Sequence, residues 1–248
     1  MSVPVVIPTH KRAGNVHALL AVKPVILCVA ESQVASYKAA YPDQELLVHP
    51  DKILGISPKR QWIYEQLGDV FMLDDDCTEL RRLYDESARV TRVEADEAFD
   101  LIQDTAEMAR SLNVKLWGLA NNAIGRNFSA FHPFRTTGYV NAAFMGLFAD
   151  RRLLFPVVPY CVAEDYYISA LNAYYYRKIW ADDRFGFHQL RTFANAGGLS
   201  EFRNMTHEER WMEELKRLFG EDIIVEKHMA RKHRFEKILH IPWSKGVA

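Results

Sequence analysis

The sequence predicts an α/β fold with a mainly parallel central sheet flanked by helices. Short apolar runs alternate along the chain with segments of helical period, and this alternation is typical of doubly wound sheets. The chain has 248 residues, enough for one large α/β domain or two small ones with a substantial core. In such sheets ligands bind beyond the carboxyl ends of the strands, so the residues that follow the apolar runs are the first candidates for a site.

Four predicted strands lie in the first part of the chain, and each is a short apolar run. The runs are Val3–Ile7, Pro24–Val29, Leu46–His49 and Asp69–Leu73. Between the third and fourth runs, Ser57–Leu67 is predicted as a helix, because Pro58 falls in its first turn, where a missing N–H costs little.

The next predicted element is a long amphipathic helix over Glu94–Leu112. Its small and apolar residues follow the helical period, which indicates a face packed on the core; they are Ala98, Ile102, Thr105, Ala106 and Ala109. Further strands are predicted at Leu116–Ala120, Ala142–Phe148 and Lys178–Phe187, and a helix begins near Glu164. Residues 1–200 are expected to form the core of one domain, and residues 201–248 a helical, basic extension packed on it.

Composition excludes several classes of protein. The formal net charge is −1, so overall charge indicates no particular partner. The three cysteines, Cys28, Cys77 and Cys161, lack metal-ligand spacing, and their odd number suits a reducing compartment. The N-terminus lacks the basic and apolar segments of a signal peptide, and no stretch approaches the length of a membrane span. We therefore expect a soluble intracellular protein.

Three consecutive carboxylates, Asp74-Asp75-Asp76, directly follow the apolar run Val70–Leu73. Adjacent carboxylates repel one another, and a hard divalent cation such as Mg²⁺ or Mn²⁺ removes this repulsion because it prefers oxygen ligands. Held by few carboxylates at a strand end, such a cation keeps positions free for phosphate oxygens. The pattern indicates a metal–diphosphate site. The alternative is a solvated acidic turn that caps a helix beginning near Cys77.

The loop after the first predicted strand carries Thr9-His10-Lys11-Arg12. These groups can bind the base, ribose or diphosphate of a nucleotide. Neither a Gly-x-Gly-x-x-Gly motif nor a P-loop is present, which disfavours nicotinamide-type dinucleotide folds and P-loop NTPases. Lys59 and Arg60 on the predicted helix can hold phosphate oxygens, and the alternative for both is an exposed helix face.

A second pair of acids, Glu164-Asp165, lies at the start of a predicted helix. The helix dipole favours the ionised form of acids in this position. An ionised Asp can take the proton of an acceptor hydroxyl as that hydroxyl attacks. The alternative is that both acids only cap the first turn.

In order and spacing, these motifs resemble a GT-A glycosyltransferase. The motifs are Val5–Arg12, Ser57–Gln61, Leu73–Asp76 and Glu164-Asp165. Gly55–Ile63 and Asn195–Gly198 are similar, more particularly, to the TET-associated glycosyltransferases, a phage-rich group thought to glycosylate 5-hydroxymethylpyrimidines in DNA. The resemblance implies a Rossmann-like GT-A fold and metal-dependent, inverting transfer from a nucleotide-sugar, expected to be a UDP-sugar. It also implies a location in the cytoplasm, which is the host cytoplasm if a phage encodes the protein.

Roles for the donor side follow from the resemblance. Asp76 is implied to bind Mn²⁺ or Mg²⁺, Asp74 to hold the ribose or assist the metal, and Asp75 to contact the sugar. The implied nucleotide-sugar-binding residues also include Pro8, Thr9, Arg12, Lys59 and Arg60. Many GT-A enzymes add a late metal-binding His, for which His188 is the candidate and His228 and His233 are competitors.

Roles for the acceptor side follow in the same way. Asp165 is implied to be the catalytic base, with Glu164 orienting the site. Between Lys227 and Lys245 the chain has six Lys and Arg against one Glu, a patch that can contact a nucleic-acid backbone. The candidate acceptor-binding residues are Lys232, Arg234, Lys237, Asn195, Gly197 and Gly198.

The basic stretch leaves other interpretations open. It can also close over the donor diphosphate, lie near anionic lipid headgroups or form a solvated helix face. The expected acceptor is hydroxymethylated double-stranded DNA, and the alternative acceptor is a saccharide or lipid. Two other classes are a non-catalytic nucleotide or nucleic-acid binding module and a metal-dependent nucleotidyltransferase. Intact Asp74, Asp76 and Asp165 disfavour the first, and the lack of a Gly-rich N-terminal loop disfavours the second.

Overall fold

The computed structural model describes residues 2–84, 91–190, 204–226 and 237–239. Its α-helices are α1 (Val34–Ala40), α2 (Ile56–Leu67), α3 (Ala95–Ser111), α4 (Glu164–Tyr176) and α5 (Met205–Phe219), and short 3-10 helices lie at His17–Leu20, Glu31–Gln33 and Gly125–Asn127. Its strands are β1 (Val5–Pro8), β2 (Ile26–Ala30), β3 (Leu46–His49), β4 (Val70–Leu73), β5 (Cys77–Arg82), β6 (Thr91–Val93), β7 (Leu116–Leu119), β8 (Phe134–Arg135), β9 (Phe144–Leu147), β10 (Trp180–Asp182), β11 (Phe185–Gln189), β12 (Ile224–Glu226) and β13 (Lys237–Leu239).

An eight-stranded sheet lies at the centre, in the order β3-β2-β1-β4-β9-β7-β10-β8. Strands β3, β2, β1 and β4 are parallel, and β7 is parallel to β10. Strand β9 is antiparallel to β4 and β7, and β8 is antiparallel to β10 at the edge. Since β9 reverses direction between β4 and β7, all the parallel strands end at the same edge of the sheet. The predicted α/β class with a mainly parallel sheet is confirmed.

Side chains alternate across this sheet and pack against helices on both sides. Phe71 and Trp117 face the cluster that contains the buried side of α3. Met72 faces the opposite cluster, with Ile63 of α2 and Ile168 of α4. The predicted apolar face of α3 is confirmed, because its buried residues are Ala98, Ile102, Thr105, Ala106 and Ala109. The result is a three-layered core in which α2 and α4 lie on the same side.

One predicted strand and one alternative interpretation are wrong. The predicted strand Lys178–Phe187 divides into β10 and β11, because a turn at Asp183-Arg184 leads the chain out of the large sheet. Strand β11 instead pairs with β5 in a second, antiparallel sheet that also contains β6. A helix beginning near Cys77 is also wrong, since Cys77–Arg82 forms β5 and pairs on both sides.

The C-terminal extension contains the predicted helix, α5, and strands β12 and β13, which pair antiparallel. Trp211 and Leu215 of α5 are buried against Cys161 and Val162, just before α4. The indole of Trp211 donates a hydrogen bond to the carbonyl of Ala163 at 3.2 Å. Helix α5 therefore supports the start of α4, while the domain boundary predicted at residue 200 stays a prediction. Within the described ranges, no helix combines the length and apolar character needed to cross a membrane.

Candidate active site

The first loop and the acidic triplet meet at the carboxyl edge of the sheet. Strands β1 and β4 are parallel neighbours, with Val6 opposite Met72. Each strand therefore delivers its following residues to the same place. The Thr9 hydroxyl donates to Oδ2 of Asp75 at 2.7 Å, and Arg12 forms an ion pair with Oδ1 of the same carboxylate. The two segments that the sequence predicts at one site are in direct contact.

Asp75 is the buried member of the triplet. Burial raises the pKa of Asp75, whereas the Arg12 charge and the Thr9 hydrogen bond act in the opposite direction. The Tyr37 hydroxyl lies 2.8 Å from that of Thr9 and accepts a hydrogen bond from the Arg12 backbone N–H at 3.0 Å. Both oxygens of Asp75 thus hold the first loop in place. The sugar contact implied for Asp75 stays a prediction.

Arg60 joins the donor side of the site to the second acidic pair. Its Nη2 donates to Asp74 at 2.7 Å and its Nε to Glu164 at 3.0 Å. Burial alone lowers the pKa of Arg60, but Asp74 and Glu164 outweigh it and raise that pKa above its ordinary value. The remaining nitrogen, Nη1, is buried and has no hydrogen-bond partner among the described residues. One guanidinium therefore organises two carboxylates and retains a donor.

The exposed-face alternative for the start of α2 is wrong. Lys59 is 4% exposed and Arg60 1% exposed. The Lys59 ammonium donates to the Thr9 carbonyl at 2.7 Å, and burial lowers the pKa of Lys59. Gly55 directly precedes α2 with a φ of +85°, and a Cβ at this position would lie 3.0 Å from the Pro159 carbonyl oxygen, so the position favours glycine. Because both cations are buried, they point into the site rather than into solvent.

Glu164 and Asp165 open helix α4 and have different surroundings. Glu164 is buried, and burial together with the Asp165 charge raises its pKa to about 7 against the opposing effect of Arg60. Asp165 is half-buried: its Oδ2 accepts from the Tyr139 hydroxyl at 2.5 Å and its Oδ1 from the Tyr166 backbone N–H at 2.9 Å. Glu164 therefore does more than cap the helix, because it forms the ion pair with Arg60.

Of the three carboxylates in the triplet, Asp76 has the weakest contacts with protein groups that offset its negative charge. Burial and the neighbouring Asp74 carboxylate raise the pKa of Asp76 to about 6. Among the described residues, the hydrogen bond to its carboxylate comes from the Gln189 amide at 3.2 Å. The oxygen donors of Asp74 and Asp76 suit Mg²⁺ or Mn²⁺, and a cation would offset the repulsion between them. The residues present fit such an ion.

His188 lies on β11, next to Gln189. Its Nδ1 lies 2.9 Å from the Thr78 hydroxyl, and it is opposite Glu79 across the strand pair. Burial lowers the pKa of His188, which favours the neutral ring that metals bind. In the part of the chain that the structure describes, no three His, Cys, Asp or Glu side chains form a ready metal cluster. Metal binding by His188 stays a prediction.

A family model, described as TET-Associated Glycosyltransferase, matches residues 3–198. The chain belongs to the TET-associated glycosyltransferase family. The match contains β1, α2, β4 and α4, and it ends before α5. Membership confirms the predicted enzyme class, a glycosyltransferase. No curated protein matches the chain.

The fold of this TET-associated glycosyltransferase is also similar to that of a solved glycosyltransferase. Residues 1–349 of TarS from S. aureus, in complex with UDP-GlcNAc, superpose with a TM-score of 0.57 at 14% sequence identity. The similarity covers 88% of this chain and 65% of the TarS chain. At that identity the comparison supports the fold, and the GT-A-like architecture predicted from the sequence is confirmed.

Several predicted residues of the family member lie outside the described part of the chain. They are Asn195, Gly197, Gly198, His228, Lys232, His233 and Arg234. Lys237 begins β13, whose side chains are not described. Their roles in acceptor or metal binding stay predictions. Conversely, the sequence interpretation did not include Tyr37 or Gln189. Neither belongs to a motif, and only the tertiary fold brings them to the site.

Proposed function

We propose that the protein transfers a sugar from a UDP-sugar to the hydroxymethyl group of a 5-hydroxymethylpyrimidine in DNA, with inversion and with Mn²⁺ or Mg²⁺. The observation that carries the proposal is the bridge made by Arg60. It joins Asp74, on the side of the nucleotide loop, to Glu164, beside Asp165. Donor-side and acceptor-side acids are thereby held at one edge of the sheet, as transfer between two substrates requires.

The donor side suits a nucleoside diphosphate. Thr9 and Arg12 follow β1, and Lys59 is buried behind them. The free Nη1 of Arg60 supplies a donor for a ligand oxygen. The similarity to TarS, which was solved with UDP-GlcNAc, supports a UDP-sugar. Asp76 and Asp74 would hold the cation, which when bound offsets negative charge on the diphosphate.

In the proposed transfer step, a carboxylate of this protein acts as the general base. The ionised Asp165 takes the proton of the acceptor hydroxyl, and the acceptor oxygen forms a bond to the anomeric carbon of the sugar. The bond between that carbon and the phosphate oxygen breaks, and its electron pair leaves with the nucleoside diphosphate. Attack from the face opposite the leaving group inverts the configuration. Glu164, held by Arg60, keeps the start of α4 in position.

The identity of the acceptor as DNA is the more specific part of the proposal. Its support is the family to which the chain belongs and the basic residues between Lys227 and Lys245 in the sequence. The alternative acceptor is a saccharide or lipid. The two acceptors differ in charge, so salt dependence separates them.

The test is incubation of hydroxymethylated and unmodified DNA with a panel of UDP-sugars, followed by mass spectrometry of the nucleosides. A mass increase of one sugar on the hydroxymethylated nucleoside, lost with EDTA and in Asp165→Asn, supports the proposal. Transfer to a saccharide or lipid with no change in DNA would overturn DNA as the acceptor. The protein would still be a glycosyltransferase. Full transfer in EDTA would overturn the proposed requirement for a divalent cation.

A further inference from the structure

Tyr139 lies in the loop between β8 and β9 and touches Asp165 through its hydroxyl. The hydroxyl donates to Oδ2 of Asp165 at 2.5 Å. Burial first, and then the negative charge of Asp165, raises the pKa of Tyr139 well above its ordinary value. The phenol therefore keeps its proton throughout the physiological range. The direction of the hydrogen bond is fixed: the phenol donates and the carboxylate accepts.

The position of Tyr139 is set by contacts that do not involve Asp165. Its carbonyl accepts from the Asn121 amide at 3.1 Å and from Nη1 of Arg135 at 2.8 Å. Arg135 is in turn held by Asp183 at 2.7 Å. The Tyr139 ring also packs on the ring of Tyr166, with centroids 4.8 Å apart. The hydroxyl is thus presented by a framework anchored to the ends of β7 and β10.

We propose that Tyr139 is a positioning residue that orients the Asp165 carboxylate for deprotonation of the acceptor hydroxyl. The inference rests on the base role given to Asp165 in the proposed function. The bonds from Tyr139 and from the Tyr166 N–H use one acceptor site on each carboxylate oxygen. They fix the plane of the carboxylate and leave a second site on each oxygen for the incoming proton. A carboxylate held in this way needs no rearrangement before the transfer step.

The other ionisable groups around Asp165 differ from Tyr139 in where they lie and in which groups they contact. Glu164 and Tyr166 are on its own helix, and Cys161 precedes that helix. Arg60 is directed at Glu164 and Asp74 rather than at Asp165. Among the described contacts, the side-chain hydrogen bond to the Asp165 carboxylate comes from Tyr139. Removal of the phenol oxygen should therefore affect Asp165 specifically.

The test compares Tyr139→Phe with a matched control, Tyr176→Phe. The Tyr176 hydroxyl also donates to an aspartate, Oδ2 of Asp150, at 2.5 Å. Tyr176 is the last residue of α4, and Asp150 follows β9. Asp150 therefore lies at the opposite edge of the sheet from Asp74, because Leu147 is paired with Val70 and Phe144 with Leu73. Both variants remove the same kind of bond and keep the ring. We expect kcat for sugar transfer to fall about 10- to 100-fold in Tyr139→Phe, with the Kd for UDP unchanged, and to stay native in Tyr176→Phe.

A double-mutant cycle separates positioning from general structural damage. If Tyr139 acts through Asp165, adding Tyr139→Phe to Asp165→Asn should leave the residual rate nearly unchanged. Additive losses would overturn the proposal. Asn121→Ala, which loosens Tyr139 without touching Asp165, should lower kcat in the same direction and by less. If Tyr139→Phe folds poorly, Asn121→Ala tests the proposal in its place, and native kcat in this variant would then count against it.

The two ideas, a base at Asp165 and its positioning by Tyr139, fail in different ways. Native kcat in Tyr139→Phe overturns the positioning role, as does a loss of kcat that Tyr176→Phe matches. Native transfer in Asp165→Asn instead overturns the proposed base, so the failure of each idea has its own signature.

Discussion

Arg60 and Glu164 are 104 residues apart in the sequence and form a buried ion pair, with Nε 3.0 Å from Oε1. The pair joins the second turn of α2 to the first residue of α4, two helices on the same side of the sheet. Because Arg60 also holds Asp74, its charge is shared between two carboxylates. A shared buried cation makes both sides of the candidate site depend on the same side chain.

Removal of Arg60 should therefore affect stability as well as activity. In Arg60→Ala, Glu164 would be buried without a counter-charge, and we expect the free energy of unfolding to fall by about 3–5 kcal/mol. Urea denaturation measures the change. Arg217→Ala, which breaks the exposed pair with Glu214, should leave the midpoint within error. Arg60→Lys should recover only part of the stability, since an ammonium lacks the two-sided fork. A native midpoint in Arg60→Ala would contradict the role of the bridge.

The pKa of Glu164 predicts how stability changes with pH. Its pKa is raised from 4.5 to about 7 by burial, so between these values the folded state binds more protons than the unfolded state. Stability from this group is then present at low pH and is lost as pH rises through that window. Glu164→Gln removes the titration. The native protein should lose about 1–3 kcal/mol relative to this variant between pH 4.5 and 7, measured by urea denaturation at each pH. Parallel curves for the two proteins would contradict the assignment.

The sequence predicts the strands of the central sheet well and the smaller sheet poorly. The strand Leu46–His49 has the predicted bounds, and β1, β2 and β4 differ from prediction by few residues, because each is a short, largely apolar run. By contrast, β5 and β11 contain polar and charged residues, and they are strands through their pairing in the smaller sheet, β11 with β5 and β5 also with β6. No local pattern contains that pairing.

The same distinction applies to the site. The positions of Asp74–Asp76 after a strand and of Glu164-Asp165 at the start of a helix were predictable, because acids that follow an apolar run or open a helix leave a local signal. The burial of Arg60 was not predictable, since an Arg in a helical segment gives no indication of which acids it meets. Tyr37 reaches Thr9 from 28 residues away, and Gln189 reaches Asp76 from 113 residues away. Such contacts depend on tertiary structure alone.

Donor binding should require a divalent cation and Asp76. In Asp76→Ala we expect Mn²⁺-dependent binding of UDP to disappear in calorimetry, while the fold persists, because a ligand of the ion is lost. The exposed acid Asp96 on α3 provides the control, and Asp96→Ala should bind UDP normally. EDTA should have the same effect on the native protein as the Asp76 substitution. Tight UDP binding by native protein in EDTA would count against the cation site.

Asp165 should contribute to chemistry rather than to donor affinity. Loss of a positioned general base costs on the order of 10² to 10⁴ in rate, so Asp165→Asn should lower kcat by that factor and change the Kd for UDP little. Asn has nearly the same shape, so the melting temperature is a control for folding. Turnover and calorimetry on the same preparation separate the two effects. Near-native turnover would mean that another group is the base.

DNA binding should depend on the basic residues near the C-terminus if DNA is the acceptor. Replacement of Lys232, Arg234 and Lys237 by Ala should weaken binding to hydroxymethylated duplex, because phosphate contacts that release counterions are lost. Each lost contact should reduce the slope of log affinity against log salt by roughly 1.

A control triple at Lys23, Lys38 and Arg110 lowers the net charge equally from exposed positions elsewhere. If general charge alone attracts DNA, the two triples will weaken binding to the same extent. If the C-terminal residues form a phosphate-binding surface, the control will keep the native slope in a fluorescence-anisotropy salt titration. UDP binding should stay native in both triples, and its loss in the C-terminal triple alone would instead indicate that this segment closes over the donor diphosphate. Native protein that binds duplex no better than an unrelated neutral protein would remove DNA as the acceptor, and a saccharide or lipid would then be the acceptor that remains to be tested.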